Sequence, residues 1–537
     1  MTIRRRTLLA AGAASLIAYS CARPAGATEK AKGARPRDMS AGLPLGWVDV
    51  RHFGATGSGA SIDTPAIDKA IDYVALRGGG TVYFPPGTYA SYTIHLKSYV
   101  TLHLEVGATL IAAATPMDGM ASGGYDNEEP QGPWDPYQDY GHNHWRNSLI
   151  YGEGINDIAI VGLGMIYGKG LSRGHPKDTY LPDTTKPGVG NKAIALKNCR
   201  NVLLRDFKVL KGGWFALLAT GVDNMTIDNL VIDTNRDGLD IDCCRNVRIT
   251  NCTVHSPWDD AIVPKSSFAL GYARATENVT IDSCYLCGSY EIGSVIAGTW
   301  RKQAPGSSPT TGRIKFGTES NGGFKNMTVT NCVFDQCNGF ALESEDGALC
   351  EDITISNITM RGLTSGPFFL RLGRRMRGPV GVPIGAMRRI LINNVNSYDA
   401  VMLPSIIAGV TGHPVEDVKI SDCYLHQQGG GTVELAKRIP PLEEEKYPDP
   451  PMFGPLPASG FFIRQARNIE MSNIEVVVAT ADARPAFWLQ DVTDADFFRL
   501  RLPAGTSFAL ERVERFRSFG SRDVPNKSFD TAVTRSF

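Results

Sequence analysis

The feature that most constrains the fold is a short motif that recurs through the chain. In each copy, Asn or Asp precedes a segment in which apolar and polar residues alternate, as in a β-strand with one buried face. Copies begin at Asn201, Asn224, Asn246, Asn278, Asn326, Asp352, Asp417 and Asn468. The first six are separated by 23, 22, 32, 48 and 26 residues, which indicates a repeat of 22 to 23 residues with insertions.

A repeat of this length has room for three short strands and their turns. A single strand cannot bury its apolar face, but coils stacked about 4.8 Å apart pair every strand in parallel with its neighbours and enclose a continuous core. The repeat therefore predicts an all-β protein, a right-handed parallel β-helix. In residues 46–111, strand-like segments accompany an amphipathic helix that begins at Thr64, and we expect them to form a short N-terminal cap.

The residues at the turns support this prediction. Asn tolerates the left-handed backbone conformation and can hydrogen-bond along a stack, so we interpret the recurrent Asn-x-Thr sequences as turns, not glycosylation sites. Five cysteines occupy one place in the repeat: Cys199, Cys252, Cys284, Cys332 and Cys423. We expect buried free thiols in a stack. The spacings typical of zinc sites do not occur, and we predict no metal and no cofactor.

The first residues of the chain suggest export. Residues 1–27 combine three arginines at Arg4–Arg6 with a short apolar run and a small-residue cleavage site, which resembles a twin-arginine signal peptide. We expect a periplasmic or secreted protein; a lipid anchor on Cys21 is the alternative. Residues 28–45 are predicted to be a linker, 46–510 a single β-helix domain and 511–537 a C-terminal tail. No later apolar run is long enough to span a membrane.

The charge balance limits the partners. The 55 basic and 55 acidic residues of the whole chain become 51 and 55 after residue 27, because the signal carries four arginines and no acid. A mildly acidic protein has no basic field that would attract nucleic acid. We predict no nucleic-acid partner, no membrane span, and a monomer.

Three carboxylates are predicted to converge on neighbouring coils. Asp237 lies 13 residues after Asn224 and Asp259 lies 13 after Asn246, so both should occupy the same place in adjacent coils, with Asp260 beside them. Repulsion among them should raise the pKa of at least one carboxyl group, which then holds a proton near neutral pH. A protonated acid beside ionised carboxylates is the combination that cleaves glycosidic bonds.

The sequences around these acids carry a family resemblance. Asn235-Arg236-Asp237-Gly238 and Trp258-Asp259-Asp260-Ala261-Ile262 resemble the Asn-Thr-Asp and Gly-Asp-Asp motifs of glycoside hydrolase family 28, the polygalacturonases and rhamnogalacturonan hydrolases. The similarity extends over most of residues 46–480. It implies that Asp259 is the general acid and that Asp237 and Asp260 activate water. The implied enzyme is inverting, with acid and base carboxyl groups about 6.5–9.5 Å apart.

Four further residues are predicted to bind substrate. Lys265 falls where the family also has a lysine, and Trp214 precedes the acids by one coil, where an aromatic ring could stack on a sugar. Arg313 and Glu319 lie in the segment that aligns with the next family motif. In that motif Thr311 replaces a histidine, while Glu343 stands where the family has the lysine of an Arg-Ile-Lys sequence that grips a uronate. This difference implies a changed specificity.

Two other segments could set that specificity. The 48-residue spacing between Asn278 and Asn326 leaves an insertion around Trp300, which we expect to form a flap beside the acids and to favour exo-action. A basic run could bind an acidic polysaccharide or lie in solvent: Arg371, Arg374, Arg375 and Arg377.

The sequence favours an exported inverting hydrolase of a pectic polysaccharide or oligosaccharide, and two alternatives stay open. One is a polysaccharide lyase on the same fold, which would hold Ca²⁺ with its acids and use Lys265 or Arg313 as the base. The other is a carbohydrate-binding β-helix without catalytic activity.

Overall fold

The computed structural model describes residues 46–114, 124–172, 183–234, 236–288, 290–292, 294–299, 301–302 and 310–537. The predicted signal peptide, the linker and Trp300 lie outside these residues. Successive coils stack their strands in parallel, so the prediction of a right-handed parallel β-helix is confirmed. Each coil contributes to three sheets, which we call the site sheet, the ladder sheet and the third sheet.

The site sheet runs nearly the whole length of the molecule. Its strands are Ile94–His95, Ser148–Glu153, Lys192–Lys197, Leu217–Thr220, Leu239–Asp242, Ile262–Lys265, Lys315–Phe316, Phe340–Ser344, Phe368–Leu372 and Ser405–Ala408. The first parts of Phe461–Thr480, Phe487–Phe498 and Phe508–Phe519 continue it.

The other two sheets close each coil. The ladder sheet contains Trp47–Asp49, Gly80–Phe84, Val100–Leu104, Asn156–Val161, Arg200–Arg205, Asp223–Asp228, Arg245–Thr250, Thr276–Asp282 and Phe324–Thr330. The third sheet contains Ser58–Ile62, Gly87–Ser91, Ala108–Ala112, Met165–Tyr167, Lys208–Leu210, Val231–Asp233, Thr253–His255, Tyr285–Cys287 and Val333–Asp335. The long strands Leu349–Arg361, Ala386–Ala400 and Val415–Gly429 bend through both sheets.

Alternation along the strands builds the core. In the ladder sheet, Val202 and Leu204 stack on Met225 and Ile227 of the next coil, and all four are buried. At each turn before these strands, Asn224, Asn246 and their equivalents have a positive φ, and their side-chain amides donate to the preceding coil over 2.7–3.1 Å. The predicted turn chemistry is therefore confirmed. All ten described cysteines are buried free thiols, as expected.

Both ends of the stack are covered. The helix Thr64–Leu76, which has Pro65 in its first turn, buries Ile67, Ile71 and Val74 at the N-terminal end. At the other end, Lys527–Ser536 pairs antiparallel with Phe508–Phe519. The predicted boundary at residue 510 is therefore wrong: it falls inside a strand, and the expected tail 511–537 completes the last coil and caps it.

The remaining elements are short. They are the helix Val433–Ala436, the 3₁₀ helices Val50–Phe53, Asp135–Tyr137, Tyr140–Asn143 and Pro450–Phe453, and an antiparallel pair formed by Tyr290–Ile292 and Arg301–Lys302. Within the described part of the chain, no helix has both the length and the apolar character needed to cross a membrane.

Candidate functional site

The three predicted acids meet where two strands of the site sheet begin. Leu239 pairs with Ile262, and this register places Asp237 opposite Asp260 instead of Asp259, which lies one residue earlier. The backbone N–H of Asp260 donates to a carboxylate oxygen of Asp237 and to one of Asp259, both over 3.1 Å. Oxygens of all three carboxylates lie within 4.8 Å of one another. The convergence is as predicted, but the expected acid–base separation of about 6.5–9.5 Å is absent.

The environment separates the protonation states of two of these acids. Burial, reinforced by the charges of Asp259 and Asp240, raises the pKa of Asp237 well above its usual value. Burial would also raise the pKa of Asp260, but Lys315 and Arg313 outweigh it and lower that pKa to about 2. The environment therefore favours the protonated form of Asp237 and the ionised form of Asp260.

Two cations hold Asp260 from the next strand of the site sheet. Arg313 Nε lies 2.8 Å from one carboxylate oxygen and Lys315 Nζ lies 2.5 Å from the other. Arg313 was expected to bind substrate, but it is buried and its guanidinium is directed at Asp260. The sequence analysis missed the role of Lys315. The available signal was the spacing in Arg313-Ile314-Lys315, since alternate residues of a strand share one face.

Lys265 and Glu319, which were also predicted to bind substrate, form an ion pair with each other. Lys265 Nζ and Glu319 Oε2 lie 2.9 Å apart, and both side chains are buried. Arg377 binds the second oxygen of Glu319 at 2.7 Å and reaches Asp139 at 2.9 Å. Burial opposes both charges, yet the pairing raises the pKa of Lys265 and lowers that of Glu319. These residues shape the floor of the site and do not project into open solvent.

Trp214 does not offer an open stacking surface. The ring is buried against Phe215 and the segment that carries Tyr140, and the guanidinium carbon of Arg236 lies 4.3 Å from its centre. Arg236 in turn lies 3.2 Å from Asp259. A protein cation occupies one face of this ring, and its stacking on a sugar stays a prediction.

The arginines of the basic run bind groups of the protein itself, and Arg374 is the exposed member of the run. Arg371 is buried beneath backbone carbonyls at Gly409 and Glu443. Arg374, Arg375 and Arg377 form ion pairs with Glu444, Asp346 and Glu319. Carboxylates of the strap and of the preceding coils therefore already pair with Arg374, Arg375 and Arg377.

The two departures from the family pattern lie beside the acids. Gly312 donates its backbone N–H to the carbonyl of Asp259 over 2.8 Å, which places Thr311 next to that residue. Glu343 is fully buried, 3.6 Å from Arg313, and neither of its oxygens has a hydrogen-bond partner among the described residues. Burial raises the pKa of Glu343 to about 7.

Two segments outside the repeat flank the acids on the outer face of the site sheet. The first, residues 124–147, packs Trp145 against Phe215 and Leu218, and we call it the N-terminal wall. The second, residues 437–458, packs Phe453 against Phe462, and we call it the strap. Tyr447 of the strap interacts electrostatically with Lys315 and Glu343. The sequence analysis missed both segments, although the long gaps between strands were visible.

The predicted flap is described only in part. Its described strands, Tyr290–Ile292 and Arg301–Lys302, form an antiparallel pair, and the backbone N–H of Val295 donates to Asp233 over 2.7 Å. This segment is thereby attached to the third sheet, close in sequence to Asp237. The expectation for Trp300 concerns a residue outside the described part.

Fold and site together define a right-handed parallel β-helix protein with an acidic cluster on one sheet. Residues 47–131 match the family model "Rhamnogalacturonase A/epimerase, pectate lyase-like", and residues 192–367 match "Right handed beta helix region".

Three curated relatives give partial matches. A probable polygalacturonase of Vitis vinifera is 23% identical over 332 residues, 58% of this chain and 60% of the relative. The plasmin and fibronectin-binding protein A of Streptococcus pneumoniae is 27% identical over 46% of this chain and 32% of its own length. The exo-poly-alpha-D-galacturonosidase of Dickeya chrysanthemi is 29% identical over 33% of this chain and 28% of its length. The matched region thus spans about a third to three fifths of these relatives.

Solved structures agree on the fold. An exopolygalacturonase of Thermotoga maritima superposes with a TM-score of 0.56 at 17% identity, over 92% of this chain and 96% of that one. The family 28 exopolygalacturonase of Yersinia enterocolitica gives a TM-score of 0.59 at 18% identity, over 85% and 78%. The predicted resemblance to the pectin-degrading β-helix proteins of glycoside hydrolase family 28 is confirmed.

Proposed function

We propose that this protein is an exported glycoside hydrolase that cleaves a glycosidic bond in a pectic polysaccharide or oligosaccharide. The observation that carries the proposal is the cluster of Asp237, Asp259 and Asp260, in which burial favours the protonated form of one carboxyl group and two cations favour the ionised form of its neighbour. Glycosidic cleavage needs both states at once, because the leaving oxygen must gain a proton while the sugar carbon gains an electron-rich partner. The relatives named polygalacturonase support this substrate class.

Asp259 is the proposed proton donor. Its side chain is 28% exposed, whereas Asp237 and Asp260 are buried, so it faces the position of an incoming sugar. Asp237 shares the N–H of Asp260 with it and supplies the proton that the pair holds. The proton passes from Asp237 through Asp259 to the departing sugar oxygen as the glycosidic bond breaks. The oxygen of water forms the new bond to the sugar carbon, and Asp237, which has lost its proton, takes up with Asp260 the proton that this water releases.

We propose inversion of configuration at the sugar carbon. Asp260 is the ionised carboxylate, but both its oxygens are engaged by Arg313 and Lys315, which weakens it as a nucleophile. Water is therefore the better attacking group. The close spacing of the acids makes the stereochemical outcome a direct test: proton NMR of the first product should show the anomer opposite to that of the substrate.

The geometry does not favour the lyase alternative. A lyase base must give up its proton near neutral or mildly alkaline pH, but nearby carboxylates raise the pKa of both Lys265 and Arg313. Ca²⁺ would have to compete with Arg313 and Lys315 for the oxygens of Asp260.

The N-terminal wall and the strap support exo-action. The N-terminal wall and the strap both lie on the outer face of the site sheet, and Arg377, which follows a strand of that sheet, reaches Asp139 of the wall. A groove that is flanked along the helix axis accommodates a chain end better than the middle of a polymer.

The decisive experiment uses the chain without residues 1–27 and a panel of pectic polymers and oligosaccharides. We expect new reducing ends without absorbance near 232 nm, with single sugars or short units as products. Asp259→Asn should lower the rate by about 10²–10⁴, the usual contribution of a positioned acid. It should change stability little, because its partly exposed ion pair with Arg236 contributes less than about 1 kcal/mol.

The matched control is Asp494→Asn, which removes an ion-paired carboxylate from the distant C-terminal coils and should keep the full rate. An unchanged rate in Asp259→Asn would exclude its assigned role. Absorbance at 232 nm would establish a lyase, and full-panel binding without turnover would establish the non-catalytic alternative.

A further inference from the structure

A cleft opens at the C-terminal end of the β-helix because the third sheet ends there. The last part of the strand Phe461–Thr480 pairs with Cys423–Gly429 on one side. On its other side, the described residues give it a single bridge, between Glu475 and Arg501. The next two strands, Phe487–Phe498 and Phe508–Phe519, stop before they reach this sheet. Two coils are therefore missing one side, and the chain leaves a surface depression.

This cleft, which we call the arginine cleft, has a volume of about 430 Å³ and a basic lining. Its residues are Asn473, Ile474, Glu475, Arg499, Leu500, Arg501, Gly520 and Arg522. The three arginines and one glutamate leave a net charge of +2. An adjoining cleft of about 440 Å³ shares Glu475 and Arg501 and adds Val476–Val478, Leu502 and Pro503. A strip with apolar patches thus extends from the basic end.

Two of the three arginines of the arginine cleft, Arg499 and Arg522, have no acidic partner among the described residues. Elsewhere in the last coils, Arg512, Arg515 and Arg517 each bind an aspartate of the preceding coil. Arg501 has one contact, to Glu475 at 3.6 Å. In the part of the chain that the structure describes, Arg499 and Arg522 are exposed and form no ion pair. The guanidinium groups of Arg499 and Arg522 are therefore available to an external anion.

We infer that the arginine cleft binds a strand of uronate-containing polysaccharide, separately from the acid cluster. Guanidinium groups bind carboxylates through paired hydrogen bonds, and the half-buried Val477, Val478 and Pro503 can cover the apolar faces of sugar rings. Four strands of the site sheet separate Ile262–Lys265 from Phe461–Thr480, so the two sites lie about 24 Å apart along the axis at 4.8 Å per strand. The cleft holds the polymer while its end is cleaved elsewhere.

The test measures binding without turnover. Full-length mature protein carrying Asp259→Asn is passed over immobilised polygalacturonate, and the arginine cleft is altered by Arg499→Ala with Arg522→Ala. Loss of two exposed charge contacts should weaken binding at least about fivefold. The matched control, Arg512→Ala with Arg515→Ala, removes the same charge from ion-paired positions and should bind as strongly as the parent protein. Two competitors test specificity. Carboxyl-reduced polygalacturonate has the sugar rings without the charge, and poly-glutamate has the charge without the sugar rings.

Every outcome decides the inference. A loss confined to the Arg499 and Arg522 variant, with competition by neither the reduced polymer nor poly-glutamate, supports it. Equal losses of binding in both double variants would show that binding depends only on the net charge of the protein. Competition by poly-glutamate would show that the arginine cleft binds any polyanion. Either result overturns the inference. Because binding is measured on Asp259→Asn, a failure to find any hydrolysed substrate would refute the proposed function and leave this result standing.

Discussion

Two columns of stacked polar residues run along this molecule, one at the turns before the ladder sheet and one on the outer face of the site sheet. Both are built by the same stacking of coils, but their side chains have different roles. In the ladder column, Asn201, Asn224, Asn246, Asn278 and Asn326 repeat one side chain, and each amide donates to the coil before it. On the outer face of the site sheet, charges of opposite sign pair between neighbouring coils instead, as Asp260 with Lys315 and Lys265 with Glu319.

The two columns differ in how many of their hydrogen-bonding groups have partners. Successive asparagines join into one chain of hydrogen bonds, so that column contributes stability and no chemistry. In the site sheet, Asp240 and Glu343 are buried with no hydrogen-bond partner in the described residues. Unpaired buried carboxyl groups cost stability, and they persist where a ligand or a proton transfer makes use of them.

The strongest test of this contrast removes one of the cations on Asp260. Lys315→Met leaves a buried carboxylate with Arg313 alone, and breaking a buried pair costs about 3–5 kcal/mol of unfolding free energy. The lowered pKa of Asp260 stabilises the fold above about pH 4, the range of an unfolded Asp, and this contribution is lost as the pH falls toward 2. Urea unfolding at pH 7 and pH 3 should therefore show a difference that shrinks in acid.

The matched control for this variant is Lys419→Met, which removes an exposed lysine paired with Glu470. It should cost less than about 1 kcal/mol at both pH values. A Lys315→Met protein as stable as this control at pH 7 would contradict the account of Asp260.

The next test concerns the buried carboxyl group of Glu343. Its pKa of about 7 lies above the usual value of 4.5, so the fold is fully stabilised below pH 4.5 and loses stability as the pH rises through 7. Glu343→Gln cannot ionise, and it should be more stable than the parent at pH 8 by up to about 3 kcal/mol, at 1.36 kcal/mol per pKa unit. Denaturant midpoints at pH 5 and pH 8 measure this; equal differences at both would refute it.

The smallest expected effect falls on the ladder column. Asn246→Ala removes the hydrogen bonds to Asn224 and Asn278 and places Ala at a φ of 57°, for a combined loss of about 2 kcal/mol. Asn246→Gly removes the same bonds without the backbone strain and should lose less. Neither variant should change kcat, and a changed kcat would show that the ladder also positions the acids.

The sequence predicted the features that repeat. Coil length, alternation and the turn asparagines are local and periodic, so the fold, the ladder and the buried thiols followed from them. The meeting of Asp237, Asp259 and Asp260 followed from the same period. Counting from the turn asparagine nevertheless misplaced the register by one residue, because strand pairing and not residue count determines which side chains lie opposite each other.

The residues predicted as substrate contacts have partners that the sequence did not indicate. Trp214, Lys265, Arg313 and Glu319 were each considered alone, whereas the structure pairs each with a side chain from another coil or segment. Such pairings join residues 20 to 60 positions apart, and a single sequence without a register does not reveal them. The N-terminal wall and the strap depend on apolar packing onto the outside of the β-helix, which the inward-facing pattern does not encode.

The antiparallel direction of the strand Lys527–Ser536 limits how many coils can stack in this molecule. A stack of parallel coils has no intrinsic length, since each coil offers the next one the same edge and growth could continue into a filament of many chains. A strand that returns antiparallel along Phe508–Phe519 occupies that edge with the wrong polarity for another coil. The last ten residues of β-structure thus act as a terminator that keeps one chain from becoming the template for the next.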